Sequence, residues 1–122
     1  GQKQLVESLV NAMERLLDTI KPGVKVKDVG LLGDELSKEA GYYSEQFKIN
    51  WPYYGHGNGC MWERPYLEPR MCTDDEFFEE NMVGSVEGFF CDEEIGTAAF
   101  ETNYILTKDG PEELTPVPHI FW

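Results

Sequence analysis

The 122-residue chain carries 10 lysine and arginine residues against 23 aspartate and glutamate residues, a formal charge of −13, and 41% of its residues are apolar. This length predicts one domain, residues 1–122, that buries about two thirds of its unfolded surface. The acidity is concentrated in residues 63–113, which hold 15 acidic and 3 basic residues. Because such a surface repels phosphate backbones and anionic lipids, we expect no nucleic-acid or membrane partner, whereas cations are favoured.

The cysteines and the first residues indicate the compartment. Cys60, Cys72 and Cys91 have no CxxC spacing and are odd in number, which argues against a disulfide framework. No apolar run is long enough to cross a bilayer, and no basic region followed by an apolar stretch marks a secretory signal. We therefore expect a cytoplasmic protein.

The first third of the chain has helical periodicity. Apolar residues recur every three to four positions over residues 5–20, which predicts one helix that ends at the Pro22-Gly23 pair. A second helix is predicted from about residue 26 to residue 40, with Gly41 as its stop. The short turn between them favours an antiparallel helix pair.

Helical periodicity disappears after Gly41. Residues 44–50 predict one short strand. Residues 51–70 combine six glycine and proline residues with five aromatic ones, which predicts an irregular segment whose aromatic rings pack over the rest of the fold.

The last third alternates with a period of two residues. Residues 99–106 predict a strand, and residues 82–91 are its natural partner, with residues 92–96 as the connection. If this hairpin folds about Glu94, Glu87 lies opposite Glu101. Residues 108–110 predict a turn and residues 111–118 a rim segment. The sequence therefore predicts an α+β fold with two N-terminal helices packed on an antiparallel sheet.

The pairing of Glu87 with Glu101 needs an explanation. Two carboxylates side by side on one sheet face repel each other unless a proton or a cation lies between them. A divalent metal ion is one explanation. A register wrong by one residue, or a solvated sheet face, is the other.

A histidine and an acid–base pair are further candidates. His56 lies in GHGNG, where glycines let a ligand approach a neutral imidazole, although a lone histidine is also an ordinary turn residue. The other histidine, His119, has no such setting and is predicted at the surface. Glu63 and Arg64 follow Trp62, and a surface salt bridge is their alternative interpretation.

Four segments taken in order resemble a known family. The segments are IKPGVKVKDV, GHGNGCMWERP, MVGSVEGFF and GTAAFETNYILTKDGPEELTPVP. They are similar to the second half of the pita-bread-fold metallopeptidases, the group of methionine aminopeptidase, Xaa-Pro aminopeptidase and Xaa-Pro dipeptidase. The resemblance covers about residues 5–118. It implies a partial pita-bread fold of the α+β class and a hydrolase in which metal-activated water attacks a peptide or amide bond.

The resemblance also implies roles for particular residues. The implied metal ligands are His56, Glu87 and Glu101, the implied catalytic residue is Glu63, and the implied substrate-binding residues are Trp62 and Arg64. The implied cofactors are divalent manganese, cobalt or zinc ions, two per complete site, and the implied substrate is a peptide or small amide. The family's two ligand aspartates would lie before the first helix. We therefore expect this chain to bind metal weakly or not at all and to be inactive alone.

Two departures from the family pattern leave alternatives open. Trp62 stands where the family usually has a histidine, and Gly88 follows Glu87 where proline is usual. A non-peptidase relative resembling creatinase, ectoine hydrolase or a dimethylsulfoniopropionate lyase is one alternative. A non-catalytic binding or assembly module is another, with a homodimer in which a second copy replaces the absent half. A third is an acidic interaction protein without metal.

Overall fold

The computed structural model describes residues 1–120, which form three helices followed by five strands. The helices are α1 (Gln2–Thr19), α2 (Val26–Ala40) and α3 (Glu45–Asn50). The strands are β1 (Gly55–Asn58), β2 (Trp62–Tyr66), β3 (Val83–Asp92), β4 (Gly96–Thr107) and β5 (Gly110–Glu113). That residues 1–122 form one domain stays a prediction. Residues 121–122 of that range lie outside the described residues.

The two long helices confirm the predicted periodicity. The buried side of α1 recurs every three to four residues: Leu5, Leu9, Ala12, Met13, Leu16 and Leu17. Helix α2 ends at Gly41, which has a φ of 83° and donates its backbone N–H to the carbonyls of Ser37 and Lys38. A left-handed residue at this place satisfies carbonyls that the helix leaves unpaired, and glycine adopts it without strain.

All five strands belong to one antiparallel sheet in the order β2-β1-β3-β4-β5. The hairpin of β3 and β4 has the predicted register, because Glu87 pairs with Glu101. The edge strand β5 instead joins the last residue of the predicted turn (108–110) to the start of the predicted rim segment (111–118). Successive side chains point to opposite faces. Val86, Phe90 and Tyr104 are therefore buried on one face in a common core with α1, while Glu87 and Glu101 share the other face.

The strand predicted at residues 44–50 is wrong, since these residues form the capped helix α3. The Ser44 hydroxyl accepts a hydrogen bond from the Phe47 backbone N–H at 3.2 Å and so satisfies one free donor of the first turn. Burial in this segment follows the helix and not the hydrophobicity of the residues. Ile49 is 69% exposed, whereas Lys48 is buried.

The irregular segment predicted at residues 51–70 contains the hairpin of β1 and β2. A Cβ on Gly57 would lie 2.2 Å from the Arg64 carbonyl oxygen, so only glycine allows the two backbones this approach. Two of the four residues of β1 are glycines, which have no side chain and are common in turns. The sequence therefore shows no strand alternation here and resembles a turn-rich segment. The aromatic rings contact one another, since Trp51 meets Tyr53 and Trp62, and Tyr53 stacks on Tyr66. Trp51 also packs on Phe89 of β3, as predicted, whereas Trp62 is 56% exposed.

His119 is less exposed than predicted. Its Nδ1 lies 2.9 Å from Glu14 Oε1 on α1, its Nε2 lies 3.2 Å from Glu113 Oε1 on β5, and its side chain is 12% exposed. The ring also meets the edge of Phe100. This histidine therefore ties the segment after β5 to the first helix. Within residues 1–120, no helix combines the length and apolar character needed to span a membrane.

Candidate metal centre

Three strands bring the candidate ligands together. His56 is on β1 and pairs with Ser85 on β3, and Glu87 lies two residues further along β3, opposite Glu101 on β4. Paired residues and residues two apart share one face of a sheet. One ligand atom from each of His56, Glu87 and Glu101 therefore converges, and these atoms lie within 4.8 Å of one another.

The surroundings of His56 fix its tautomer. Its side chain is 2% exposed, and its Nδ1 lies 3.1 Å from the Gly57 carbonyl oxygen. Because a carbonyl oxygen only accepts hydrogen bonds, the geometry assigns the proton to Nδ1. Nε2 then carries the lone pair, 3.1 Å from the Ser85 hydroxyl oxygen and 3.5 Å from Glu87 Oε2. This arrangement is typical of metal-binding histidines, which donate their other ring N–H to a carbonyl or carboxylate.

The carboxylate pair is electrostatically unfavourable without a cation. Burial raises the pKa of Glu87, and the neighbouring charge of Glu101 raises it further. The folded state therefore favours protonated Glu87, and its contribution to stability is lost as the pH rises through the folded pKa. A bound cation would remove this penalty, so the chemistry of the three donors fits a divalent metal ion.

Trp62 forms a wall beside the cluster. The centre of its indole lies 5.4 Å from the centre of the His56 imidazole, with 34° between the ring planes. The edge of Trp51 meets the same indole at 5.7 Å. Together with Met61 and Tyr66, Trp62 lines an open hollow of about 380 Å³. Trp62 is 56% and Met61 78% exposed, so this hollow presents apolar surface beside the indole that contacts His56.

Glu63 and Arg64 lie outside the cluster and have local partners. Glu63 Oε1 accepts a hydrogen bond from the Cys60 backbone N–H at 3.1 Å, and Arg64 Nη1 donates to Glu76 Oε2 at 2.9 Å. Both side chains are on the exposed part of β2. The roles of these two residues therefore remain predictions.

The sequence did not single out two polar contacts near the cluster. Ser85 touches His56 directly, and Asn58 Nδ2 donates to Asn103 Oδ1 at 2.7 Å. The hairpin register about Glu94 already places Asn103 opposite Ser85, on the same sheet face as Glu87 and Glu101. The sequence could therefore have identified Ser85 and Asn103 as neighbours of the carboxylate pair. The position of Asn58 depends on the pairing of β1 with β3, which local pattern does not encode.

A buried ionic cluster lies at the base of the β1–β2 hairpin. Lys48 Nζ on α3 lies 2.8 Å from Glu68 Oε2 and 3.1 Å from Asp34 Oδ1, and it also donates to the Pro52 carbonyl. Its ammonium lies 4.1 Å from the ring centre of Tyr54, the residue just before β1. The cluster therefore joins α2, α3 and the segment after β2, which fixes the hairpin that carries His56 and Trp62.

Comparisons with known proteins agree with this geometry. Residues 1–108 match the model of metallopeptidase family M24. An Xaa-Pro dipeptidase of Pyrococcus horikoshii is 29% identical over 115 residues, which cover 93% of this chain and 31% of the relative. The prolidase structure from Pyrococcus furiosus aligns with a TM-score of 0.79 at 25% identity, covering 96% of this chain and 33% of that one.

A second structure gives the same result. The X-Pro aminopeptidase from Thermotoga maritima aligns with a TM-score of 0.77 at 28% identity, covering 96% of this chain and 32% of that one. The chain thus spans about a third of the length of these relatives. The likeness confirms the predicted α+β fold of partial pita-bread type.

Proposed function

This chain belongs to metallopeptidase family M24, and we propose that it supplies part of the metal site of a hydrolase that cleaves a peptide or small amide. The observation that carries this proposal is the convergence of His56, Glu87 and Glu101 within 4.8 Å. The relative from Pyrococcus horikoshii is named an Xaa-Pro dipeptidase. That name supports a peptide bond that precedes proline as the substrate class.

The donor set supports manganese, cobalt or zinc as the metal. Imidazole nitrogen with carboxylate oxygens suits these ions, and a complete site would hold two of them. His56 would bind through Nε2, and Glu87 and Glu101 through their carboxylates. When bound, the ions supply Lewis acidity that polarises the scissile carbonyl and increases the acidity of water. Three converging ligands support weak metal binding and no hydrolysis by this chain on its own.

The residues around the cluster would handle the substrate. We propose that Trp62, with Met61 and Tyr66, contacts an apolar part of the substrate in the 380 Å³ hollow. Arg64 would contact the substrate and Glu63 would transfer a proton. Each of these two would first have to leave its present partner, Glu76 and the Cys60 N–H respectively.

We expect manganese to stabilise the folded chain. An ion bound between Glu87 and Glu101 removes their repulsion and binds only the folded state. At a concentration 100 times the Kd, such binding adds about 2.7 kcal/mol to the free energy of unfolding. Thermal unfolding in millimolar MnCl₂, CoCl₂ or ZnCl₂ measures the effect, with MgCl₂ as the control because magnesium prefers all-oxygen sites. An unchanged midpoint in all three salts would contradict the proposed function.

The exposed apolar surface on β2 favours an assembly role as the second candidate. Trp62 begins the edge strand β2 and Met61 precedes it; both are exposed, and such patches often mark contacts between chains. We propose a homodimer that covers them. Sedimentation velocity over increasing protein concentration is expected to show a dimer, and a monomer throughout would refute it. The cytoplasmic location stays a prediction.

A further inference from the structure

We propose that Trp62 is a positioning residue that holds the His56 imidazole with Nε2 directed at the two carboxylates. The proposal rests on the proposed metal site and assigns to Trp62 a task distinct from substrate contact.

The first observation is the burial of His56. Its side chain is 2% exposed although it belongs to the face of the sheet on which Glu101 is exposed. The Trp62 indole covers the imidazole at a centre-to-centre distance of 5.4 Å and a plane angle of 34°. The indole therefore limits both the rotation of the imidazole and the access of water to it.

The second observation is the support of Trp62 itself. Trp51 meets the Trp62 indole edge-on at 5.7 Å, and Trp51 in turn meets Phe89 of β3 at 5.1 Å. Trp62 also pairs with Asn58, two residues after His56, across the hairpin. The indole is therefore linked through Trp51 to β3, the strand that carries Glu87, and through backbone pairing to β1, the strand that carries His56.

The third observation concerns what else holds the imidazole. Nδ1 has the Gly57 carbonyl at 3.1 Å, and Nε2 has the Ser85 hydroxyl at 3.1 Å. A 180° ring flip about χ2 would break both hydrogen bonds, because it exchanges each nitrogen with a ring carbon. Water that reached the ring would replace part of what is lost. Stacking acts perpendicular to that plane. The indole therefore adds to the restraint from the two hydrogen bonds, because it blocks rotation out of the ring plane and limits the access of water.

The loss of this restraint predicts a change in two measurable quantities. In Trp62→Ala, His56 is expected to populate both neutral tautomers, and Mn²⁺ affinity is expected to fall about tenfold, the lower end of the range for residues that support a metal ligand. Trp62→Phe keeps an aromatic face, so a single Nδ1–H tautomer and an affinity within about threefold of the wild type are expected.

The experiment combines nitrogen NMR of the histidine rings with calorimetric titration of MnCl₂ into the 122-residue chain. Spectra are recorded at about pH 8, above the ordinary titration range of histidine. The chain has two histidines, so His119 is an internal reference. Ile49→Ala is the matched control, because Ile49 is also a large exposed apolar residue but belongs to α3.

Each outcome decides the proposal. A mixed tautomer in Trp62→Ala that Trp62→Phe restores, with Ile49→Ala unchanged, supports a positioning role. A single Nδ1–H tautomer in Trp62→Ala overturns it, since the ring is then held without the indole. If the wild type binds no manganese, the proposed metal function fails, whereas the tautomer comparison in metal-free protein still decides the role of Trp62.

Discussion

Replacing Glu101 by glutamine is expected to abolish the stabilisation by manganese. The substitution keeps the shape of the side chain but removes one of the three converging ligands and its charge. Since residues that merely support a ligand change metal affinity 10–100-fold, the loss of a ligand is expected to exceed about 100-fold. Calorimetric titration of MnCl₂, together with thermal unfolding in the same salt, measures the loss.

Without metal, Glu101→Gln is expected to stabilise the folded chain. The charge of Glu101 is the second cause, after burial, that raises the pKa of Glu87. Its removal lets Glu87 ionise with less penalty, so the metal-free variant is expected to be more stable at neutral pH by about 0.2–1 kcal/mol. A destabilised metal-free variant would show that Glu101 has a structural role instead.

Glu112→Gln is the matched control for this experiment. Glu112 is exposed on the neighbouring strand β5, where it pairs with Ile105, and it is outside the cluster. The variant carries the same change in net charge. If Glu112→Gln weakens manganese binding as much as Glu101→Gln, the ion responds to the general acidity of the chain and the cluster is not its site.

Replacing Lys48 by methionine is expected to destabilise the fold by about 3 kcal/mol, because it leaves buried carboxylates without their cation. Lys48 Nζ lies 2.8 Å from Glu68 and 3.1 Å from Asp34, and the Lys48 and Glu68 side chains are 7% and 2% exposed. Arg70 still pairs with Glu68 in the variant, so the loss is set at the lower end of the range for broken buried pairs. Urea unfolding followed by circular dichroism measures the change.

Lys3→Met is the control for this prediction. Lys3 faces Glu7 at 3.8 Å, and both side chains are well exposed, so its replacement is expected to cost less than about 0.5 kcal/mol. Equal losses in the two variants would refute a stabilising role for the buried cluster. Glu68→Gln is a second test. If Lys48 and Glu68 stabilise the fold through one ion pair, the double variant is expected to lose less free energy of unfolding than the sum of the two single variants.

The effect of Lys48→Met is also expected to depend on pH. Burial alone would raise the pKa of Glu68, but the hydrogen bonds from Arg70 and Lys48 hold it below its ordinary value of 4.5. A carboxyl of this kind stabilises the fold above its unfolded pKa, and that stability is lost as the pH falls through the folded pKa. The difference between wild type and Lys48→Met should therefore shrink in acid.

Local patterns in the sequence were sufficient for the long helices and for one hairpin. The period of apolar residues places α1 and α2, because a helical face repeats every 3.6 residues whatever lies against it. The β3–β4 hairpin is closed by residues near in sequence, so its symmetry about Glu94 gives the pairing of Glu87 with Glu101. Two of the three candidate ligands thus follow from the sequence itself.

Only the tertiary structure decided how His56 joins them. β1 pairs with β3 across a long stretch of chain, and its glycines leave no alternation from which that register could be inferred. The cover of His56 by Trp62, and the burial of Lys48 on a helix that resembles a strand in sequence, also depend on contacts between distant segments. Sequence therefore determines the elements that close locally, whereas the candidate metal centre exists because long-range strand pairing brings a third ligand to a locally formed carboxylate pair.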